Sequence, residues 1–337
     1  MDQRKIMSLG RSSLVVSLPK RWIKLNELER GDFVSLDIQR DRSLVVFPGV
    51  KKKKDLRKIT LKVDPAEKED SLVREIIACY LNGYFGITLV STDIFTVEQQ
   101  KAVRAIAGIL YMGILESDAR RIYIQTLVDE SKAPVEAAIR RMHIISGSMC
   151  HDALESLRNQ DSELAKVVFT LDDDVDQLGF FLIRLLRGAV LDPDLSKQLG
   201  LEPIDCLDYQ TLVHRIEQVA DHAAAISKNV ILVERDQWFS DPMLEYILNL
   251  GSETFDLYNE AVRAFFSGDT ASSNDLISRE NKLDEKLAAC TVGETNPLLA
   301  CMMCSIRDSL RRIADHAADI AEITLNHSYK PASTLSI

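Results

Sequence analysis

No stretch of this chain approaches the roughly 18–20 uncharged residues that a membrane-spanning helix needs, so the sequence does not read as a helical membrane protein. The opening residues MDQRKIMSLGRSS lack the apolar core of a signal peptide. Six cysteines in 337 residues are too few for a disulfide framework, and the expected location is a reducing cytoplasm. Also missing are a phosphate loop, a Ser, Cys or His in a nucleophile setting, and the Glu-x-x-His helix pairs of di-iron carboxylate bundles. These absences argue against an enzyme. What is present is 46% hydrophobic and 27% charged residues, the balance of a globular chain long enough for two or three domains.

The net charge of −10 is unevenly spread. Residues 1–54 hold thirteen Lys/Arg against six Asp/Glu, a balance of +7, which leaves −17 for the remainder. A basic head on an acidic body implies an anionic partner for one and cations for the other.

In the head, RKIMSLGRSSLVVS reads as two short apolar runs around a Gly-Arg-Ser-Ser turn. Pro19 then opens a helix of one or two turns in LPKRWIKLNEL. RGDFVSLDIQ and SLVVFP alternate as strands. About fifty such residues bury little core alone, and pairing with a second copy would supply one. The ordered set Gly10-Arg11, Leu18-Pro19 and Gly31-Asp32 resembles the swapped-hairpin DNA-binding domain of the SpoVT/AbrB (MazE-like) family, over about residues 4–48. The spacing from Gly10 to Pro19 is longer than that family's. The resemblance implies duplex DNA binding by a homodimer, with Arg11, Lys20, Arg21 and Lys24 as candidate contacts. The KKKK run at 51–54 reads equally as a basic arm or a linker.

Residues 55–130 change character. ITLKVD, GITLVS, GILES and RRIYIQTLV read as strands; EDSLVREIIACYLNG reads as a helix ended by Gly83, and TVEQQKAVRAIAGIL as one capped by Thr96. This is an α/β module without a visible chemical role.

From Ala133 onward helical periodicity takes over. Six helices are expected near 134–158, 162–189, 208–235, 241–267, 270–290 and 297–327, three and then three again. The fold class expected is therefore multidomain: a small swapped-hairpin β domain (1–50), an α/β middle module (55–130), and an all-α body of two three-helix bundles (133–235 and 241–328). Ala-Asp-His-Ala occurs at 220–223 and again at 314–317, each on the third helix of its half. In the last helix Ile306, Leu310, Ile313, Ala317, Ile320 and Thr324 follow a 3-4 spacing that makes one packing seam. Asp308, Arg312, Asp315, Asp319 and Glu322 run beside that seam rather than across it.

Pairs four residues apart share a helix face: Asp172 with Asp176, Glu217 with Asp221, Glu280 with Asp284. Stacked carboxylates repel unless a cation or basic group lies between them. Two such helices facing each other would form a cage of hard oxygen ligands, the alternative being a solvated acidic face.

LDDDVDQL and RENKLDEKL on second helices, with IEQVADHAAAI and LRRIADHAADIAE on third helices, resemble the PhoU family of phosphate-signalling regulators over about residues 133–328. That resemblance implies two three-helix bundles with metal ions (iron, zinc, manganese or magnesium) held by Glu/Asp-x-x-x-Asp motifs. Carried over by position, one cluster uses Asp172, Asp176, Glu217 and Asp221, and the other uses Glu280, Asp284 and Asp315. Arg311 stands where the fourth motif would carry its first carboxylate; a guanidinium there would oppose a cation and could pair with Asp315 or Asp308, and Asp308 or Asp319 could substitute for the missing carboxylate of the second cluster. His222 and His316 read as packed neighbours more than as ligands, and Cys301 and Cys304, set in LLACMMCSI, read as core cysteines more than as half of a zinc or iron–sulfur site.

The combined expectation is a cytoplasmic regulator of phosphate uptake and signalling that binds DNA through its head and metals through its body. Its expected partners are a phosphate ABC transporter or a sensor kinase, and a second copy of itself. The alternatives are a metal-dependent phosphohydrolase or di-iron bundle, and an antitoxin-like DNA binder with a purely structural helical body.

Overall fold

The structure, a computed structural model, describes residues 3–10, 13–38, 43–49, 56–130, 133–233, 241–290 and 296–331. The chain divides into two compact units, residues 1–55 with 331–337, and residues 56–330.

In the first unit, β1 (Met7–Leu9) and β2 (Ser13–Val15) pair antiparallel. Gly10 enters their turn at a φ of 71°, a left-handed conformation that a side chain disfavours. Pro19 precedes the six-residue helix α1 (Lys20–Leu25) as its N-cap. A second antiparallel pair follows, β3 (Val34–Ile38) and β4 (Leu44–Pro48). The two hairpins make separate two-stranded sheets, and no described residue of this head is buried. Leu14, Leu25 and Phe33 are 74%, 72% and 75% exposed. Isolated hairpins are at best marginal in water, and among the described residues this apolar surface is left uncovered.

The second unit starts with a four-stranded sheet in the order β5 (Lys58–Val63), β6 (Gly86–Ser91), β8 (Arg121–Thr126), β7 (Met112–Ser117). β5 and β6 run parallel because α2 (Glu69–Leu81) carries the chain back between them; the other pairings are antiparallel. α2 stops where its sequence says it should. Gly83 adopts a φ of 81°, its N–H donates to the Tyr80 carbonyl, and the Tyr84 N–H donates to that of Cys79, a Schellman closure. α3 (Val97–Ile109) begins with a capping box in which the Thr96 hydroxyl and the Gln99 amide exchange bonds with each other's backbone N–H.

The helical body comprises α4 (Val135–Asn159), α5 (Ser162–Leu191), the short α6 (Pro193–Leu199), α7 (Pro203–Leu232), α8 (Asp241–Ser267), α9 (Thr270–Ala289) and α10 (Pro297–Ser328). α4, α5 and α7 pack on one another, as do α8, α9 and α10, and the two sets meet along α7–α10 and α4–α8. One apolar cluster runs through both sets. The seam expected on α10 is that core: Ile306, Leu310, Ile313, Ala317, Ile320 and Thr324 are all buried. Two details differ from expectation. Asp192 caps α6 inside the stretch read as loop, and Glu202 and Asp205 form a capping box that starts α7 five residues early. Among the described residues, no helix is long and apolar enough to cross a membrane.

The α/β module is bolted to α5 by one buried cation. Arg184, 4% exposed, donates from Nε to Glu130 Oε1 at 2.6 Å and from Nη1 to the Tyr80 and Tyr84 carbonyls, with its guanidinium 4.6 Å from the Tyr80 ring centroid. Arg187 adds bonds to the Leu81 carbonyl and the Asn82 side chain, and Gln177 one to the Gly108 carbonyl.

Candidate metal centre

Asp172 and Asp176 lie one turn apart on α5, Glu217 and Asp221 one turn apart on α7. The two helices pack along their length, and the four carboxylates act as one electrostatic group. Burial, then the charges of Asp172, Glu217, Asp221 and Asp173, push Asp176 up to about 7. Burial, then Asp172 and Glu217, push Asp221 up to about 6. Asp172 is raised by burial, then by Asp173 and Glu217. Every charge acting on these three groups is negative. In addition, Asp172 Oδ1 is buried without a hydrogen-bond partner. A buried carboxylate oxygen with nothing to accept from is costly, and one among like charges more so. Asp172, Asp176, Glu217 and Asp221 thus put hard oxygen donors on two packed helices with no cation among them, but no three of the four bring an oxygen within 4.8 Å of one another.

The second site is tighter and partly neutralised from within. Glu280 and Asp284 on α9 and Asp315 on α10 each bring one oxygen within 4.8 Å of the others, the one group of three or more His, Cys, Asp or Glu side chains among the described residues that converges so closely. Arg311 Nε donates to Asp284 Oδ1 at 2.6 Å, and Arg312 Nη1 lies 3.7 Å from Asp315 Oδ2. Burial, then Asp315 and Asp284, raise Glu280 while Arg311 pulls the other way. Neither suggested substitute supplies a fourth carboxylate. Asp319 pairs with Arg215 at 2.9 Å, and Asp308 with Arg307 at 2.9 Å. The cluster forms as three carboxylates with a guanidinium in the fourth place. Arg311→Glu is accordingly expected to strengthen divalent-cation binding at this cluster by about tenfold or more, about 1.4 kcal/mol in isothermal titration. Unchanged affinity would show that Arg311 does not oppose a cation here.

The two histidines of the repeated motif lie outside both clusters. His222 and His316 stack on each other between α7 and α10, with ring centroids 5.8 Å apart and planes at 27°. His316 is buried, and desolvation lowers it to about 4. Cys301 and Cys304 are corrected by the structure: they are not core cysteines. Cys301 is exposed and Cys304 half-buried, whereas Met302 and Met303 take the core positions. Of the candidate DNA contacts, Lys20, Arg21 and Lys24 line one surface of α1, and Arg11 lies outside the described residues, as does the run 51–54. Two arginines escaped the sequence reading. Arg215 reaches across to Asp319, and Arg184 was signalled only by a charge within the apolar run FFLIRLLRGA.

Comparison with known proteins places these motifs. The PhoU domain matches residues 139–230 and 247–324, one stretch in each half of the helical body. The phosphate-specific transport system accessory protein PhoU homolog of Borreliella burgdorferi is 24% identical over 183 residues, 51% of this chain and 81% of that protein. Its counterpart in Caulobacter vibrioides is 24% identical over 212 residues, 58% of this chain and 86% of that protein. The crystal structure of the phosphate transport system regulatory protein PhoU from Streptococcus pneumoniae superposes with a TM-score of 0.50 at 16% identity, covering 60% of this chain and 96% of that one, which shows a shared fold. With half its length matched by the domain, in the two helical stretches that carry the paired acidic motifs, the chain belongs to the PhoU family.

Proposed function

We propose that this chain is an accessory regulator of phosphate transport and signalling whose acidic helix pairs hold metal ions and whose basic head binds duplex DNA as part of a homodimer. The observation that carries the metal reading is the carboxylate group of α5 and α7, in which Asp172, Asp176 and Asp221 are raised by burial and then by neighbouring carboxylate charges, and in which one buried oxygen has no partner. The phosphate assignment follows from the relatives' name as phosphate-specific transport accessory proteins. Bound cations would cross-brace α5 to α7 and α9 to α10, and phosphate oxygens could complete their coordination. A ligand that binds two states of the body unequally is what can bias its behaviour towards a transporter, a sensor kinase or DNA.

Support for the head's role lies in its charge of +7 over residues 1–54, the shared surface of Lys20, Arg21 and Lys24, and the apolar hairpins that lack a core of their own. Two heads placing those three cations on phosphates would neutralise about six charges, so affinity should fall on the order of 10³-fold between about 50 and 200 mM salt. Replacing Lys20, Arg21 and Lys24 with Gln should flatten that dependence, measured by fluorescence anisotropy on genomic DNA fragments. A salt slope identical in the triple variant would remove α1 as the DNA-contacting element. For the body, cells carrying Asp176→Asn/Asp221→Asn in place of the native chain should take up phosphate at a different rate. An unaltered rate would sink the link between the carboxylates and phosphate control.

A further inference from the structure

The four-stranded sheet of residues 56–130 is covered on one side only. Ile87 and Leu89 of β6, Ile122 and Ile124 of β8 and Met112 of β7 are buried in the core that α2 and α3 close. Successive strand residues alternate sides, so the residues between them make a second face. In the sheet's register Lys58 lies in line with Gly86 and Gln125, and Lys62 with Val90 and Arg121. No side chain of that face joins the core cluster.

Its charge is unlike that of the module around it. Residues 56–130 hold nine Lys/Arg and eleven Asp/Glu, yet the strand residues of this face carry Lys58, Lys62 and Arg121 against Glu116 alone. Glu116 lies 3.7 Å from Arg121. All three cations are exposed, and half-buried Tyr123 sits among them. The Tyr123 ring lies across Gly86, where a Cβ would stand 2.5 Å from Oη and 2.9 Å from Cε2. Its hydroxyl donates to Gln125 Oε1 at 2.9 Å, and Lys58 Nζ stands 5.5 Å from the ring centroid. Lysines on an edge strand discourage pairing with another sheet, which accounts for Lys58 and Lys62. It does not account for Arg121 and Tyr123, because β8 has a strand on each side.

We propose that this face binds single-stranded nucleic acid, with an unpaired base stacked on Tyr123 and backbone phosphates on Lys58, Lys62 and Arg121. An aromatic ring set among cations suits such a ligand, since every base has a face to stack and every phosphate a charge to pair. The single strand is the fitting form, because its bases can splay out onto a ring while those of a duplex stay stacked on one another. Gly86 lets the ring sit low on the sheet, where any side chain would lift it off. The site is distinct from the three cations of α1.

Fluorescence anisotropy tests this on the full-length protein carrying Lys20→Gln/Arg21→Gln/Lys24→Gln, which silences the cations of α1. Labelled thymidine and uridine oligonucleotides of about ten nucleotides separate DNA from RNA as the source. At least one should bind, with log affinity falling against log salt at a slope of about −2 for three phosphates. Adding Tyr123→Ala should weaken binding by at least about fivefold, and Tyr123→Phe should keep most of it, because the ring does the stacking. Lys58→Gln/Lys62→Gln/Arg121→Gln should flatten the salt slope. Glu116→Gln, an exposed change that takes away the face's one acid, should tighten binding by about twofold or more. No binding of either oligonucleotide, affinity unmoved by Tyr123→Ala or by Glu116→Gln, or equal affinity for a duplex or for inorganic polyphosphate would each overturn the proposal.

Discussion

Asp176→Asn together with Asp221→Asn is expected to raise the melting temperature of chelator-treated protein at about pH 8, and to remove most of the further rise that a divalent cation gives the native chain. Folded Asp176 titrates up at about 7 and folded Asp221 at about 6, because burial and neighbouring carboxylates oppose their ionisation. The unfolded chain releases the same protons near pH 4. The folded state therefore holds extra protons between those values, and the contribution of these two groups to stability falls as pH rises from about 4 through about 7. Above that the full cost is present. Solvent reaches both groups, which screens the repulsion, and relief for the pair is on the order of 1–2 kcal/mol. The difference between variant and native chain should be largest above pH 7 and close to nothing near pH 4. Comparing the two proteins at each pH matters, because burial lowers His143, His222 and His316, and their effect runs the other way: it costs stability as pH falls below about 6.5. In the native chain, a cation at 100-fold over its dissociation constant should add about 2.7 kcal/mol. A double variant that melts earlier than native at about pH 8, or that responds to cations in full, would contradict a strained anionic site.

Arg184→Ala should cost about 3–5 kcal/mol, the range found when one partner of a buried ion pair is removed. The deletion strands the Glu130 carboxylate and the carbonyls of Tyr80 and Tyr84, and removes the cation from the Tyr80 ring. All of these groups lie where α2 and the start of the helical body meet α5, the helix that also carries Asp172 and Asp176. Loss should appear as a fall in melting temperature on the order of 5–10 °C and as early proteolysis within residues 56–130. Arg184→Lys should recover only part of it, since an ammonium cannot reach a carboxylate and two carbonyls in the guanidinium's fork. A cost under about 1 kcal/mol would mean that the α/β module docks without this residue.

How much of this was legible from the residues depended on whether a feature was local. The buried seam of α10, the Schellman stop at Gly83 and the capping box at Thr96 are written within a few turns of chain, and each reads directly off spacing and cap chemistry. So did the pairing of Asp172 with Asp176 and of Glu217 with Asp221, because the helical repeat fixes which residues share a face. Partners across helices were not legible. That Arg311 takes Asp284, that Arg215 takes Asp319, and that Arg184 reaches two carbonyls of the α/β module depend on which helix lies opposite. Cys301 and Cys304 show the same boundary from the other side. Their apolar neighbours suggested burial, but Met302 and Met303 fill the core, leaving Cys301 exposed and Cys304 half-buried.

Elemental analysis of protein purified without chelators tests the central idea most directly, that acidic side chains from neighbouring helices converge to hold positive ions. The native chain should carry a stoichiometric transition metal or alkaline-earth ion, and Asp176→Ala/Asp221→Ala should lose the share held between α5 and α7. Native protein with no bound metal under these conditions, or equal metal content in the two proteins, would contradict it.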